Sequence, residues 1–82
     1  MSQKIAVIAI VVENPETVES LNQTLHEYSQ YIIGRMGLPY REKKISLISV
    51  AVDAPEDVIT KVQEKLSALD GVTVSVATAK EN

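Results

Sequence analysis

The sequence predicts a two-layer α+β domain with four strands and two helices, in the order strand, helix, strand, strand, helix, strand. Three observations carry this reading. Two β-branched runs, Lys4 to Glu13 and Ile45 to Val52, lack a helical period. Two segments between strand patterns place apolar residues at helical spacing, and each opens on residues suited to a helix start. A final stretch alternates valine with small polar residues.

The first run has no polar interruption, which predicts a central strand buried on both faces. Asn14-Pro15 then supplies a side chain able to cap free amides and a proline pre-set for a first helical position. Val18, Leu21, Leu25 and Tyr28 follow at spacings of three and four, so one stripe of a helix reaching about Tyr28 or Ser29 faces the core. Tyr31 to about Leu38 is apolar enough for a strand, yet Gly34, Gly37 and Pro39 confine it to a sheet edge. Pro39 to Lys44 reads as a charged tip.

Ile45 to Val52 resumes as a central strand, with Ile48, Val50 and Val52 on one face and Ile45, Leu47 and Ala51 on the other. Asp53-Ala-Pro-Glu56 matches a capping box that opens a second helix. Val58, Ile59, Val62, Leu66 and Leu69 form its apolar stripe, and Gly71 offers the left-handed residue that commonly ends a helix. Val72, Val74 and Val76 alternate with Thr73, Ser75 and Ala77 as a half-buried strand, and a polar tail from Lys80 to Asn82 should fray. This order is the split βαβ arrangement of ferredoxin-like sandwiches. Right-handed crossovers give an antiparallel sheet in the order 4-1-3-2, with both helices on one face.

The 82 residues form one domain, 1–82, which buries only about 60–65% of its unfolded surface. Two helices cover one face of a four-stranded sheet, yet the first strand is apolar on both sides. A homo-oligomer, dimer or tetramer, joined partly over the open face is therefore expected. The chain has no cysteine, so thiolate nucleophiles, disulfides and sulfur-based zinc sites are excluded. No leader pattern marks it for export and the longest apolar run, Ile5 to Val12, is far short of the ~20 residues a membrane helix needs, so a cytoplasmic protein without a membrane partner is expected. Eleven acidic against eight basic residues, net charge −3, disfavour direct nucleic-acid binding. The basic group Arg41, Lys43 and Lys44, interrupted by Glu42, keeps that alternative open for an oligomer that clusters its tips.

Tyr31 to Arg41 holds two of the three glycines, two of the three tyrosines and two arginines, more than packing accounts for. Arg35, flanked by Gly34 and Gly37, could hold a carboxylate or phosphate where a ligand approaches the backbone closely. The alternative is a bulged edge strand whose arginine pairs with Glu27 or Glu42. Tyr31, Met36, Tyr40 and Arg41 complete the candidate ligand- or partner-binding segment, with Tyr28 nearby as a packing residue. His26, the single histidine, sits beside Glu27 at a helix end. It is a weak candidate for a metal sensor shared between subunits, against a plain macrodipole role. No arrangement of serine, histidine and acid supports catalysis, and the glycines form neither a Walker nor a dinucleotide loop. Glu13, Glu16, Glu19, Glu56, Asp57 and Glu64 read as helix-start and solvated carboxylates. Neither catalytic residues nor a cofactor are expected.

Leu25-His-Glu-Tyr, the string Ile32-Ile-Gly-Arg-Met-Gly-Leu-Pro-Tyr-Arg41, and Ile45-Ser-Leu-Ile-Ser-Val-Ala-Val-Asp-Ala-Pro together resemble the iron-only hydrogenase system regulator family over nearly the whole chain. That resemblance implies an ACT-like fold, similar to the C-terminal domain of the nickel-responsive repressor, and a regulatory, non-enzymatic module acting through a small effector or a protein partner. A transcription regulator or accessory subunit touching nucleic acid is the alternative. The repressor's helix-end histidine falls at His26, but its His-x-His pair falls on Gly37 and Pro39 and its cysteine on Ile45, so the comparison implies no nickel site of that type. With the first strand beginning at about Lys4, no separate DNA-binding arm is expected.

Overall fold

In the computed structural model, which describes residues 3–80, each expected element forms. Strand β1 spans Gln3–Val12, helix α1 Val18–Glu27, strand β2 Ile32–Tyr40, strand β3 Ile45–Pro55, helix α2 Glu56–Ser67 and strand β4 Val72–Thr78. The sheet is antiparallel throughout, in the order β2-β3-β1-β4, which is the ferredoxin-like order read from the sequence. Beyond Lys80, the tail expected to fray lies outside the described residues.

The strand period of two decides what β1 buries. Ala6, Ile8, Ile10 and Val12 are sealed beneath the helices, whereas Ile5 and Val7 are 48% and 43% exposed. The expectation of burial on both faces is thereby corrected for the single chain, because both helices lie on one side of the sheet. Leu21 and Leu25 of α1, Ile59, Val62 and Leu66 of α2, and Ile48, Val50 and Val52 of β3 close the core from above and below. Val72, Val74 and Val76 pack against its margin.

The helix starts show which local signals prevailed. Asn14 caps as its position suggests: its Oδ1 accepts the Glu16 amide at 3.0 Å, and Pro15 opens a short 3-10 turn, Pro15–Thr17, that leads into α1. The Asn14 side-chain amide also donates to the Asp70 carboxylate at 2.6 Å, and the Thr17 hydroxyl donates to the Asp70 carbonyl at 2.7 Å. These bonds tie the α1 entrance to the turn before β4. At its other end α1 yields at Glu27, and a second 3-10 turn, Ser29–Tyr31, carries the chain into β2.

The expected capping box at Asp53 does not form. β3 continues to Pro55 because β1 offers it partners throughout, with Ile5 opposite Asp53 and Gln3 opposite Pro55. Asp53 is thus a ladder residue, Pro55 takes the cap position without a side-chain bond, and Glu56 and Asp57 provide the acidic first turn. Gly71 is left-handed, φ +72°, but it shapes the turn into β4 rather than capping α2, which ends at Ser67. No helix among the described residues is long and apolar enough to cross a membrane.

Candidate functional site

The segment with the unexplained composition is divided by one extra residue. Across the β2–β3 ladder, Ile32 faces Val52 and Gly34 faces Ala51, so Ile33 has no partner of its own and forms a bulge. A one-residue slip exchanges the faces of everything that follows. Gly34, Met36, Leu38 and Tyr40 therefore share the face of Ala51, Ser49, Leu47 and Ile45, away from the helices, while Arg35, Gly37 and Pro39 share the helix side with Val50, Ile48 and Ser46. Pro39, expected in the hairpin tip, is within the strand, and the turn proper is residues 41–44.

On the helix side, Arg35 reaches back over the edge of α1, and its Nη2 donates to Asn22 Oδ1 at 2.9 Å. Neither expected carboxylate partner takes it. Glu42 accepts the Tyr40 hydroxyl at 2.8 Å, and Glu27 pairs with Lys65 of α2 at 3.5 Å. Lys65 also stands 5.3 Å from the Tyr28 ring centroid, and the neighbouring Tyr28, with Glu27, raises its ammonium pKa above the ordinary lysine value of 10.5. Arg35, Asn22, His26 and Ser29 line a shallow hollow of about 270 Å³ floored by Leu25 and Ile32. His26 and Arg35, which the sequence offers as separate candidates, thus share one site. No cluster of three or more histidine or acidic residues suited to a metal ion occurs among the described residues.

Tyr31 turns inward. With Tyr28 it packs against the core, beside Val58 and Ile59. At the hairpin end, Arg41 and Lys44 lie with Tyr40 around a second hollow against Val12, Pro15 and Val18. Arg41, Lys43 and Lys44 are all exposed in that turn.

The opposite face of the sheet is the open apolar face expected from the first strand, and β2 enlarges it in a way that reading the segment as one unit missed. Met36 is 73% exposed, Leu38 61%, Tyr40 45% and Leu47 42%, and they continue across the sheet into Val7 and Ile5. Strand pairing adds Ala9 and Val11 from β1 and Thr73, Ser75 and Ala77 from β4. From Ile5 to Val11 and from Ile45 to Ala51 this face carries no charged residue; Asp53 stands at one corner. The signal was present in the alternation of β1 and β3, but in β2 the bulge conceals it. Gly34 and Gly37 both have open space around a notional Cβ, with nothing within 4 Å, and neither has a positive φ. Nothing inside the chain requires glycine at either place.

Comparison with solved structures places this arrangement. The uncharacterized protein TM1266 from Thermotoga maritima superposes with a TM-score of 0.92 at 28% identity, over 96% of this chain and 100% of that one. CPII from Thiomonas intermedia, a nitrogen regulatory PII-like protein bound to ADP, AMP and bicarbonate, reaches 0.53 at 17% identity over 98% of this chain and 100% of its own. SnoaB from Streptomyces nogalater, a cofactor-independent oxygenase, reaches 0.57 at 18% identity over 100% of this chain and 95% of its own. At such identities the last two share the fold alone. No curated protein matches the chain. The family model described as "TM1266-like: Iron-only hydrogenase system regulator, putative" matches residues 4–76, and the chain belongs to that family.

Proposed function

We propose that the protein is a non-enzymatic regulatory module of the iron-only hydrogenase system, assembled as a homo-oligomer through the open face of its sheet and taking a small effector or protein partner along β2. The observation that carries this reading is the uncharged apolar face running from Met36 and Leu38 through Leu47 to Val7 and Ile5. Monomeric proteins seldom leave so continuous an apolar surface in water. Its centre lacks charge, as the cores of protein interfaces do.

A second copy of the same chain is the occupant this reading assigns. Strands of about ten residues in a four-stranded sheet give a face of roughly 33 by 19 Å, about 600 Å² per copy before side-chain relief, against the ~800 Å² per partner of a standard stable interface. Two such faces stack by the aligned sheet-on-sheet packing that buries alternate residues from each. The family fits a regulatory rather than a catalytic role.

Light scattering coupled to size exclusion tests the assembly. A dimer or tetramer at micromolar concentration that falls to a folded monomer on Leu47→Lys is the expected result. A wild-type monomer would remove the assembly reading. Calorimetric and thermal-shift titrations with nucleotides, amino acids and divalent metals, together with pull-down of protein partners, test the effector. No ligand and no partner would remove the regulatory one.

A further inference from the structure

We propose that the hollow between α1 and β2 binds a small oxyanion, a carboxylate or phosphate head on a body of few heavy atoms, with Arg35 as its principal anchor and His26 as a second. The proposal rests on the reading that an effector binds along β2, and it names the chemical class of that effector.

Three features of the hollow converge. The first is preorganisation. Arg35 would sweep a wide volume on an edge strand, but its bond to Asn22 Oδ1 at 2.9 Å holds the guanidinium over the hollow while using only part of its donor fork. No ion pair engages Arg35 among the described residues, so its charge remains available. The second is donor chemistry. Asn22 and His26 are one helical turn apart on α1, Ser29 follows in the next turn, and all three border the hollow with Arg35. Amide, hydroxyl, imidazole and guanidinium are a donor-rich set suited to an anion. The floor of Leu25 and Ile32 accommodates a short apolar body.

The third feature is what the lining lacks. No carboxylate borders the hollow, since Glu27 is committed to Lys65 on α2. A zwitterionic amino acid would find a place for its carboxylate and none for its ammonium. A metal cation would meet Arg35 without a balancing acid, which also weighs against His26 as a metal ligand. At about 270 Å³ the hollow is just under the ~300–1,000 Å³ usual for small-molecule pockets, so the ligand is small.

Among the lining residues, Arg35 of β2 is the charged group that shares the hollow with His26. An anion bound between the two would meet the guanidinium on one side and an imidazole N–H on the other. The open face of the sheet lies on the other side of the molecule. Anion binding and oligomerisation therefore fail or succeed separately.

His26 is the only histidine, so its ring protons give isolated nuclear magnetic resonance signals and report on this hollow. Acetate, inorganic phosphate and glycine, titrated separately into the full chain, are the probes. Saturable displacement of the His26 signals by acetate or phosphate is expected, with the tighter of the two identifying the source. Arg35→Gln should weaken it about tenfold or more, because a charge-assisted bond is lost. Asn22→Ala should weaken it less, by releasing the arginine. No saturable displacement by either anion, displacement that survives Arg35→Gln, or tighter binding of glycine than of acetate would overturn the proposal. Light scattering on the same samples reads the assembly separately, so loss of the anion site is not confused with loss of the oligomer.

Discussion

Gly71 shows how a single residue holds the start of one element against the end of another. Its φ of +72° suits a residue without a side chain, and a Cβ there would lie 2.8 Å from the Asn14 Cβ and 3.0 Å from its amide nitrogen. The Gly71 carbonyl also accepts the Glu13 amide at 2.7 Å, so the turn cannot retreat without breaking that bond. Gly71→Ala combines left-handed strain with a backbone clash and is expected to destabilise the fold by about 2–4 kcal/mol, measured by urea unfolding. An effect under about 0.5 kcal/mol would show that the turn relaxes freely. Lys65 offers a pH-dependent counterpart. Its folded-state pKa is raised, chiefly by Tyr28 and then by Glu27, so the stabilisation is fully present below the ordinary lysine value of 10.5 and is lost as pH rises through the higher folded value. Stability curves between neutral and strongly alkaline pH should fall less steeply at the alkaline end for Lys65→Gln than for the wild type; identical slopes would count against the contact.

At the scale of elements, the bulge at Ile33 has the widest consequences. In a regular ladder with Ile33 opposite Ala51, Arg35 would face Ser49 on the open side, while Met36 and Leu38 would turn to the helix side. Deletion of Ile33 joins Ile32, opposite Val52, directly to Gly34, opposite Ala51, so it is expected to keep every later residue on its present face and to preserve both oligomerisation and the His26 response to anions. Loss of both functions would mean that the strand does not keep its present register without the bulge. The same bulge marks the limit of what the sequence makes legible. Alternation in β1 and the helical stripes of α1 and α2 identify each element and the strand order, because hydrophobic period is a local property. A bulge was anticipated near Arg35, but its position at Ile33, and hence which residues face which way, depends on pairing with Val52 and Ala51. Asp53 differs for a related reason: the cap motif was locally correct, but β1 extends far enough to hold Asp53 in the ladder. Asn22 and Ser29 gave no signal, since their importance comes from the return of Arg35 across α1.

The whole molecule has two unlike surfaces that the sheet keeps apart. One is apolar and uncharged over β1, β2 and β3; the other carries the donor-rich hollow beside α1. A small domain whose core is a single layer of side chains between sheet and helices gains much by covering the open face, since area removed from water stabilises by roughly 25 cal/mol per Å² before the cost of association is subtracted. If association supplies part of the folding stability, the thermal midpoint must rise with protein concentration, by mass action. For the wild type, a measurable rise in midpoint is expected between low and high micromolar concentrations. Leu47→Lys places a charge at the centre of the face without touching the core, because Leu47 is 42% exposed in the single chain. Its midpoint should therefore be lower than that of the wild type and independent of concentration. A wild-type midpoint that does not move with concentration would argue that the chain is stable alone, and the apolar face would then have to be covered by a different protein, an outcome that pull-down with Leu47→Lys as the control would identify.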